Sequence, residues 1–171
     1  MHETDAELDR LQELIDASFA AAGPHLREIF TAEKRLSARQ LATHLQGTRH
    51  VAFATVNAAG KPRVAPLDGL FFHARFHVGT GGHAARLRHL RRNPSVSLTH
   101  FEGDELAVIV HGAAVLMEKG HPEVGPIEEL WTEIYGSSPF TLGPGVTMIR
   151  VDPEAVYTFA PDPSRFGRLG G

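Results

Sequence analysis

Residues 76–94, FHVGTGGHAARLRHLRRNP, pass from a short apolar strand through a glycine-flanked threonine into an arginine-rich segment with helical periodicity. At a strand-to-helix junction of this kind, unpaired backbone N–H groups and the positive end of the helix dipole face the same point. Gly79, Gly81 and Gly82 let a ligand approach the backbone closely, and Thr80 adds a hydroxyl group. We therefore predict an anion site here, and the phosphate of a nucleotide-like cofactor is the favoured anion.

The arginines of the following helix, predicted over residues 83–93, occupy different positions around the helix axis. Arg86 lies in the first turns at the border of the apolar stripe. Its guanidinium can therefore reach the junction while its aliphatic part covers apolar surface. Arg88 and Arg92 lie on nearly the opposite side, where solvated surface charge is expected. Arg86 is the predicted anion ligand of this helix.

A second interpretation of the same residues is a dinucleotide-binding fingerprint. Gly79, Gly81 and Ala84 spell G-x-G-x-x-A, and an acidic residue, Glu102, follows Gly79 by 23 residues. A Rossmann strand, however, opens a parallel β-α-β array, whereas this strand closes an apparent hairpin. Only one crossover helix precedes the next strand pair, so the context disfavours a Rossmann fold.

The first 47 residues read as a helical extension. Thr4 with Glu7 and Ser37 with Gln40 form two capping boxes, each followed by apolar residues at helical spacing. A short helix around residues 25–30 is expected between them.

After residue 47 the apolar period changes from helical to strand-like. Short links between strands favour antiparallel neighbours. We predict a mainly β, α+β fold: a barrel of six to seven antiparallel strands over residues 48–160, with peripheral helices and a tail over 161–171. The extended segments that supply these strands are 50–56, 62–68, 70–72, 75–80, 96–101, 105–117, 146–151 and 155–160. A hairpin turn is predicted at His73-Ala74, an Asp152-Pro153 turn before the last segment, and a late helix near 122–135.

Composition excludes several classes of site. The chain has no cysteine, so disulfides, zinc thiolates, iron–sulfur clusters and cysteine nucleophiles are absent. Its net charge of −3 argues against nucleic-acid binding. No apolar run reaches the ~18 residues of a membrane helix, and the acidic N-terminus lacks a signal peptide, so a cytoplasmic protein is expected. The 11 histidines show no ligand spacing, and no metal site is expected.

Several motifs in order resemble those of the pyridoxamine 5'-phosphate oxidase-like superfamily of FMN-binding split β-barrels. They are ATVNAAGKPRVAPL (54–67), FHVGT (76–80), HAARLRHLRRNPSVSL (83–98) and the Gly-Ala of VHGAAV (110–115). The similarity covers about residues 49–159. The N-terminal extension looks like that of actinobacterial flavin/deazaflavin oxidoreductases of this superfamily.

The resemblance implies a homodimer with cofactor sites at the subunit interface. It places Arg63, Val64, Ala65 and Pro66 along the isoalloxazine, and Gly79, Thr80 and Arg86 at the phosphate. It implies an oxidoreductase that transfers a hydride between FMN, or the deazaflavin F420, and an unidentified small organic substrate. Trp131 and Tyr135 are candidates for completing the pocket from the other subunit. His111 and Tyr135 are candidates for donating a proton to the substrate.

Three departures separate this chain from the oxidase proper. Ala85 stands where a second cation precedes the phosphate residue, Asp68 where a lysine is usual, and Ala107 where a glutamine contacts the ring. The C-terminal tryptophan and R-x-H signature are missing, so pyridoxamine phosphate oxidation is not expected.

The cofactor and the activity each leave more than one hypothesis open. F420 could replace FMN, since a basic groove of Lys61, Arg88, Arg91 and Arg92 suits its acidic tail. The chain could also be a non-catalytic flavin-binding or storage protein, or a haem-binding split barrel.

Overall fold

The helices and strands follow the order expected from the sequence. The computed structural model describes residues 1–167, so residues 168–171 of the expected tail lie outside the described part. The helices are α1 (Asp5–Ala21), α2 (Pro24–Ile29), α3 (Ala38–His44), α4 (Ala85–Arg92) and α5 (Gly125–Tyr135). The strands are β1 (Thr48–Val56), β2 (Pro62–Phe72), β3 (Arg75–Thr80), β4 (Ser95–Glu102), β5 (Leu106–Glu118) and β6 (Thr147–Phe159).

The six strands form a closed antiparallel barrel in the order β1-β2-β3-β6-β5-β4, which confirms the predicted fold class. Alternate apolar side chains of every strand point inward and fill the barrel. Helix α1 lies on β6, where the Ser18 hydroxyl accepts a hydrogen bond from the Val156 N–H at 2.9 Å. Helix α5 covers a second apolar cluster on the outer face, between β2, β3, β5 and β6.

Local sequence signals account for the helix starts and for one hairpin. Both capping boxes are present at α1 and α3. His73 and Ala74 form the two-residue turn between β2 and β3 with φ angles of 50° and 60°. Positive φ at both positions matches the twist of a tight hairpin, although neither residue is glycine. The His73 ring contacts the Glu7 carboxylate at 3.0 Å, which ties this turn to α1.

Two strand predictions were wrong in their boundaries. Residues 62–72 form one strand, not two. The expected turn at Asp152-Pro153 is also absent, since both residues lie within β6. The β5–β6 register shifts between His111 and Gly112, leaving Glu154 as an extra residue. This bulge accommodates the proline, which has no N–H to give to the ladder.

Among residues 1–167, no helix combines the length and apolar character needed to cross a membrane.

Candidate functional site

The predicted anion corner lies where β3 ends and α4 begins. Thr80 is the last residue of β3, and its buried hydroxyl accepts a hydrogen bond from Arg86 Nη1 at 2.7 Å. Arg86 is half-buried, and this burial lowers the pKa of its guanidinium. No carboxylate in the described part of the chain pairs with it. Arg86 is therefore a partly desolvated cation with unused N–H donors, which an anionic ligand would satisfy.

The other arginines of α4 differ from Arg86 in surroundings. Arg88, Arg91 and Arg92 are exposed. Arg91 pairs with Glu118 at 3.1 Å on the surface. The separation of Arg86 from Arg88 and Arg92 around the helix axis is as the sequence predicts.

The glycines of the junction serve different purposes. A Cβ at Gly79 would lie 2.9 Å from Trp131 Cη2, and one at Gly82 would lie 2.6 Å from the Pro144 carbonyl oxygen. The lack of a side chain at Gly79 and at Gly82 therefore lets Trp131 and the Pro144 backbone, respectively, pack against the junction. A Cβ at Gly81 would meet no atom within 4 Å, so the backbone is open to a ligand there.

The predicted ring-binding residues, Arg63, Val64, Ala65 and Pro66, lie on an open part of β2. The β2–β3 ladder runs only from Gly69 to Phe72, while β1 pairs with β2 along residues 62–70. In the described structure, residues 62–68 thus have a strand neighbour on one side only. Val64 and Pro66 are exposed on the outer face, and Val64 is 70% exposed. Backbone N–H and C=O groups on the free edge can receive a planar polar ring.

A shallow pocket of about 310 Å³ lies between this edge and α5. Its lining residues are His50, Pro66, Leu67, Asp68, Gly79 and Trp131. It adjoins the anion corner because Gly79 directly precedes Thr80.

The pocket has an aromatic wall and a histidine–carboxylate contact. The rings of Trp131 and Tyr135 lie 4.4 Å apart, and the Tyr135 hydroxyl contacts the Thr48 hydroxyl at 2.9 Å. Burial raises the pKa of Tyr135. Across the pocket, His50 Nε2 lies 3.4 Å from Asp68 Oδ1. Trp131, a candidate for completing the pocket from the other subunit, thus lies beside the Gly79 of its own chain, and the Tyr135 ring packs against it.

His50 was not among the residues predicted for the pocket from the sequence, and Trp131 was predicted only as a candidate from the other subunit. The cross-strand pair of His50 with Asp68 follows from the β1–β2 register, which the sequence does not state. The i, i+4 spacing of Trp131 and Tyr135 on α5 was the sequence feature that placed the two rings of the aromatic wall on one helix face. His111, the other proposed proton donor, lies elsewhere: it is exposed on β5, and its Nδ1 contacts the Ser97 hydroxyl at 2.7 Å.

The model of the pyridoxamine 5'-phosphate oxidase family matches residues 37–160 of the chain. The protein belongs to this family. No curated protein matches it at the level of sequence.

Solved structures share its fold. The conserved hypothetical protein Rv2991 of Mycobacterium tuberculosis is 16% identical with a TM-score of 0.66, covering 82% of this chain and 94% of its own. An F420 reductase is 18% identical with a TM-score of 0.53, and the match covers 67% of this chain and 93% of the reductase. A pyridoxamine 5'-phosphate oxidase-related, FMN-binding protein of Nostoc punctiforme is 17% identical with a TM-score of 0.55, covering 66% and 74%.

The three positions at which the resemblance implied departures from the oxidase proper have different surroundings in the structure. Ala85 is exposed in the first turn of α4, so no second cation stands beside Arg86 there. Asp68 brings a carboxylate to the pocket, where His50 is its partner. Ala107 is half-buried on β5 opposite Phe159. The anion corner consequently depends on Arg86 as its half-buried cation.

Proposed function

We propose that the protein is an oxidoreductase that uses FMN or F420 to transfer a hydride to or from a small organic substrate. The observation that carries the proposal is Arg86: a half-buried guanidinium, held by Thr80, without a carboxylate partner in the described chain. A ligand phosphate supplies the missing anion. When bound, either cofactor supplies the hydride-transfer chemistry itself.

The chain's own residues bind and orient the cofactor. Arg86 donates charge-assisted hydrogen bonds to the phosphate, and the backbone of loop 81–84 lies beside it. The free edge of β2 at residues 63–66 offers main-chain donors and acceptors to the ring. Trp131 walls one side of the pocket and excludes water from it, which strengthens polar contacts inside.

We expect Arg86→Ala to weaken cofactor binding by about 1.5–3 kcal/mol, or roughly 10- to 150-fold in Kd, the usual worth of a charge-assisted hydrogen bond. Fluorescence titration with FMN, and separately with F420, measures this. The matched control is Arg92→Ala, since Arg92 is an exposed arginine of the same helix and should change the Kd less than twofold. Equal losses in the two variants would contradict the assignment of Arg86.

Native purification followed by mass spectrometry of the retained small molecule tests the cofactor class. FMN or F420 in the protein supports the proposal, and a haem with its Soret absorbance contradicts it. Stopped-flow mixing of the reduced complex with quinones, enones and tetrapyrroles then tests turnover. Reoxidation no faster than that of the free cofactor with every acceptor would favour the non-catalytic binding protein.

We further propose that a second copy of the chain covers the outer face of β2, β1 and β4. Val64 on β2 and Phe101 on β4 are 70% and 62% exposed, and β1, whose Ala54 pairs with Val64, lies between these two strands. Exposed apolar residues grouped on one sheet face are typical of an interface. The free edge of β2 lies next to this face, so the partner would also close the cofactor pocket.

Val64→Asp should weaken the dimer by on the order of 100-fold, because association would bury an unpaired carboxylate. Sedimentation equilibrium over a range of protein concentrations measures the dissociation constant. Leu142→Asp is the control, since Leu142 is 68% exposed but lies outside the strands of this face. A dimer unaffected by Val64→Asp, or disrupted equally by both variants, would place the interface elsewhere.

A further inference from the structure

Three metal-ligating side chains meet at one end of the barrel, and none of the three lines the cofactor pocket. His44 lies in the last turn of α3, and His100 and Glu102 lie on β4. Glu102 Oε1 is 2.9 Å from His44 Nε2 and 3.1 Å from His100 Nε2. One ligand atom from each of the three residues falls within 4.8 Å of the other two.

The hydrogen bonding of His100 determines which ring nitrogen faces the cluster. Its Nδ1 contacts the His50 carbonyl oxygen at 2.9 Å, and a carbonyl can only accept, so the proton is on Nδ1. In the neutral ring, Nε2 then directs a lone pair at the Glu102 carboxylate. Two acceptors at 3.1 Å repel each other unless a proton or a metal cation lies between them.

The surroundings of His100 make that arrangement costly without a cation. Its side chain is only 7% exposed, so water cannot readily separate it from the carboxylate. The cluster therefore presents the Glu102 carboxyl group to two imidazole nitrogens, one of them buried.

We propose that His44, His100 and Glu102 bind a divalent transition-metal ion, with zinc the best chemical match. Two imidazoles and a carboxylate are a recurrent zinc ligand set, and tetrahedral ligation at ~2.0–2.1 Å places ligand atoms roughly 3.3 Å apart. The contacts of 2.9 and 3.1 Å are close to this separation. The backbone hydrogen bond from Nδ1 is the usual second contact of a metal-bound histidine.

This site goes beyond the proposed oxidoreductase function and does not depend on it. An ion there ties the end of α3 to β4, and so joins the helical extension to the barrel. Glu102 is 40% exposed, which leaves a further coordination position to water. The expectation of no metal site rested on histidine spacing, and His44 precedes its partners by more than 50 residues. The one local signal was His100-x-Glu102, since alternate residues of a strand share a face.

Zinc titration of the chelator-treated full-length chain tests the proposal, with calorimetry for stoichiometry and thermal unfolding for linkage. Cobalt substitution adds the visible absorbance of a low-coordinate site. The test variants are His44→Gln and Glu102→Gln, which change partly exposed side chains and spare the buried His100. The matched controls are His25→Gln and Glu28→Gln, an exposed histidine and glutamate of α2. Circular dichroism confirms that each variant is folded.

We expect one zinc ion per chain, a zinc-dependent rise in Tm, and at least about 100-fold weaker binding in either test variant, with both controls unchanged. Three outcomes would overturn the proposal: zinc binding unaffected by His44→Gln and Glu102→Gln, equal losses in the α2 controls, or no saturable binding. An absence of saturable binding would mean that the cluster is instead a protonated histidine paired with Glu102. Because the readouts are metal binding and Tm, failure here is distinct from failure to bind FMN or F420.

Discussion

The folded state should lose roughly 2–3 kcal/mol of unfolding free energy between pH 6.5 and 4.5, because one buried histidine cannot take up a proton there. His77 lies in β3, and its Nδ1 has no hydrogen-bond partner within residues 1–167. Burial lowers its pKa from the ordinary 6.5 to about 3; a hydrogen bond with the Arg75 backbone opposes this, and the charges of Arg150, Arg75 and His73 add to it.

The sign follows from proton counting. Between pH 6.5 and 3 the unfolded chain carries a proton on His77 that the folded chain lacks, so acid favours the unfolded state. The stabilisation is fully present above pH 6.5 and declines by up to about 1.4 kcal/mol per unit as the pH falls. Below pH 4.5, Glu7 and Glu102 add to the loss, because their pKa values are also lowered in the folded state.

Urea unfolding at a series of pH values between 6.5 and 4.5 measures the slope. His77→Leu and His77→Gln should abolish most of it, since neither side chain titrates. The control is His25→Gln, because His25 is an exposed histidine of α2. A slope that persists in both His77 variants would show that another group controls the acid response.

Gly112→Ala should destabilise the protein by about 3 kcal/mol or more, which is the range for severe overpacking. A Cβ at Gly112 would lie 2.2 Å from the Asp152 carbonyl oxygen and 3.0 Å from Pro153 Cα. Both are backbone atoms of β6, so no side-chain rotation can relieve the clash. The ladder between β5 and β6 must open at the bulge instead.

Gly125→Ala is the matched control for Gly112→Ala. Gly125 begins α5, and a Cβ there would meet no atom within 4 Å. Alanine is also a better helix former than glycine, so this variant should match or exceed the wild type by up to ~1 kcal/mol. Denaturant unfolding compares the two. A Gly112→Ala protein within about 0.5 kcal/mol of wild type would mean that β5 and β6 separate there at little cost.

Local patterns predicted more of the fold than of the site. The capping boxes, the hairpin turn at His73-Ala74 and the periodicity of α4 each depend on residues a few positions apart. The same range covers the contact between Thr80 and Arg86, which spans six residues and is formed as the sequence suggests. The prediction of a turn at Asp152-Pro153 was wrong because the pairing of β6 with β5 shifts register there, which keeps β6 continuous.

The sequence alone predicted the antiparallel barrel and the helical extension. It also singled out Arg86 among the arginines of α4 as the predicted anion ligand. Each of these rests on periodicity, capping or short links, which act between neighbours along the chain. Tertiary packing instead brings Trp131 against Gly79, pairs His50 with Asp68, and gathers His44, His100 and Glu102 around one point. These contacts depend on strand register and helix docking, and both are set by burial of the whole core rather than by any short segment.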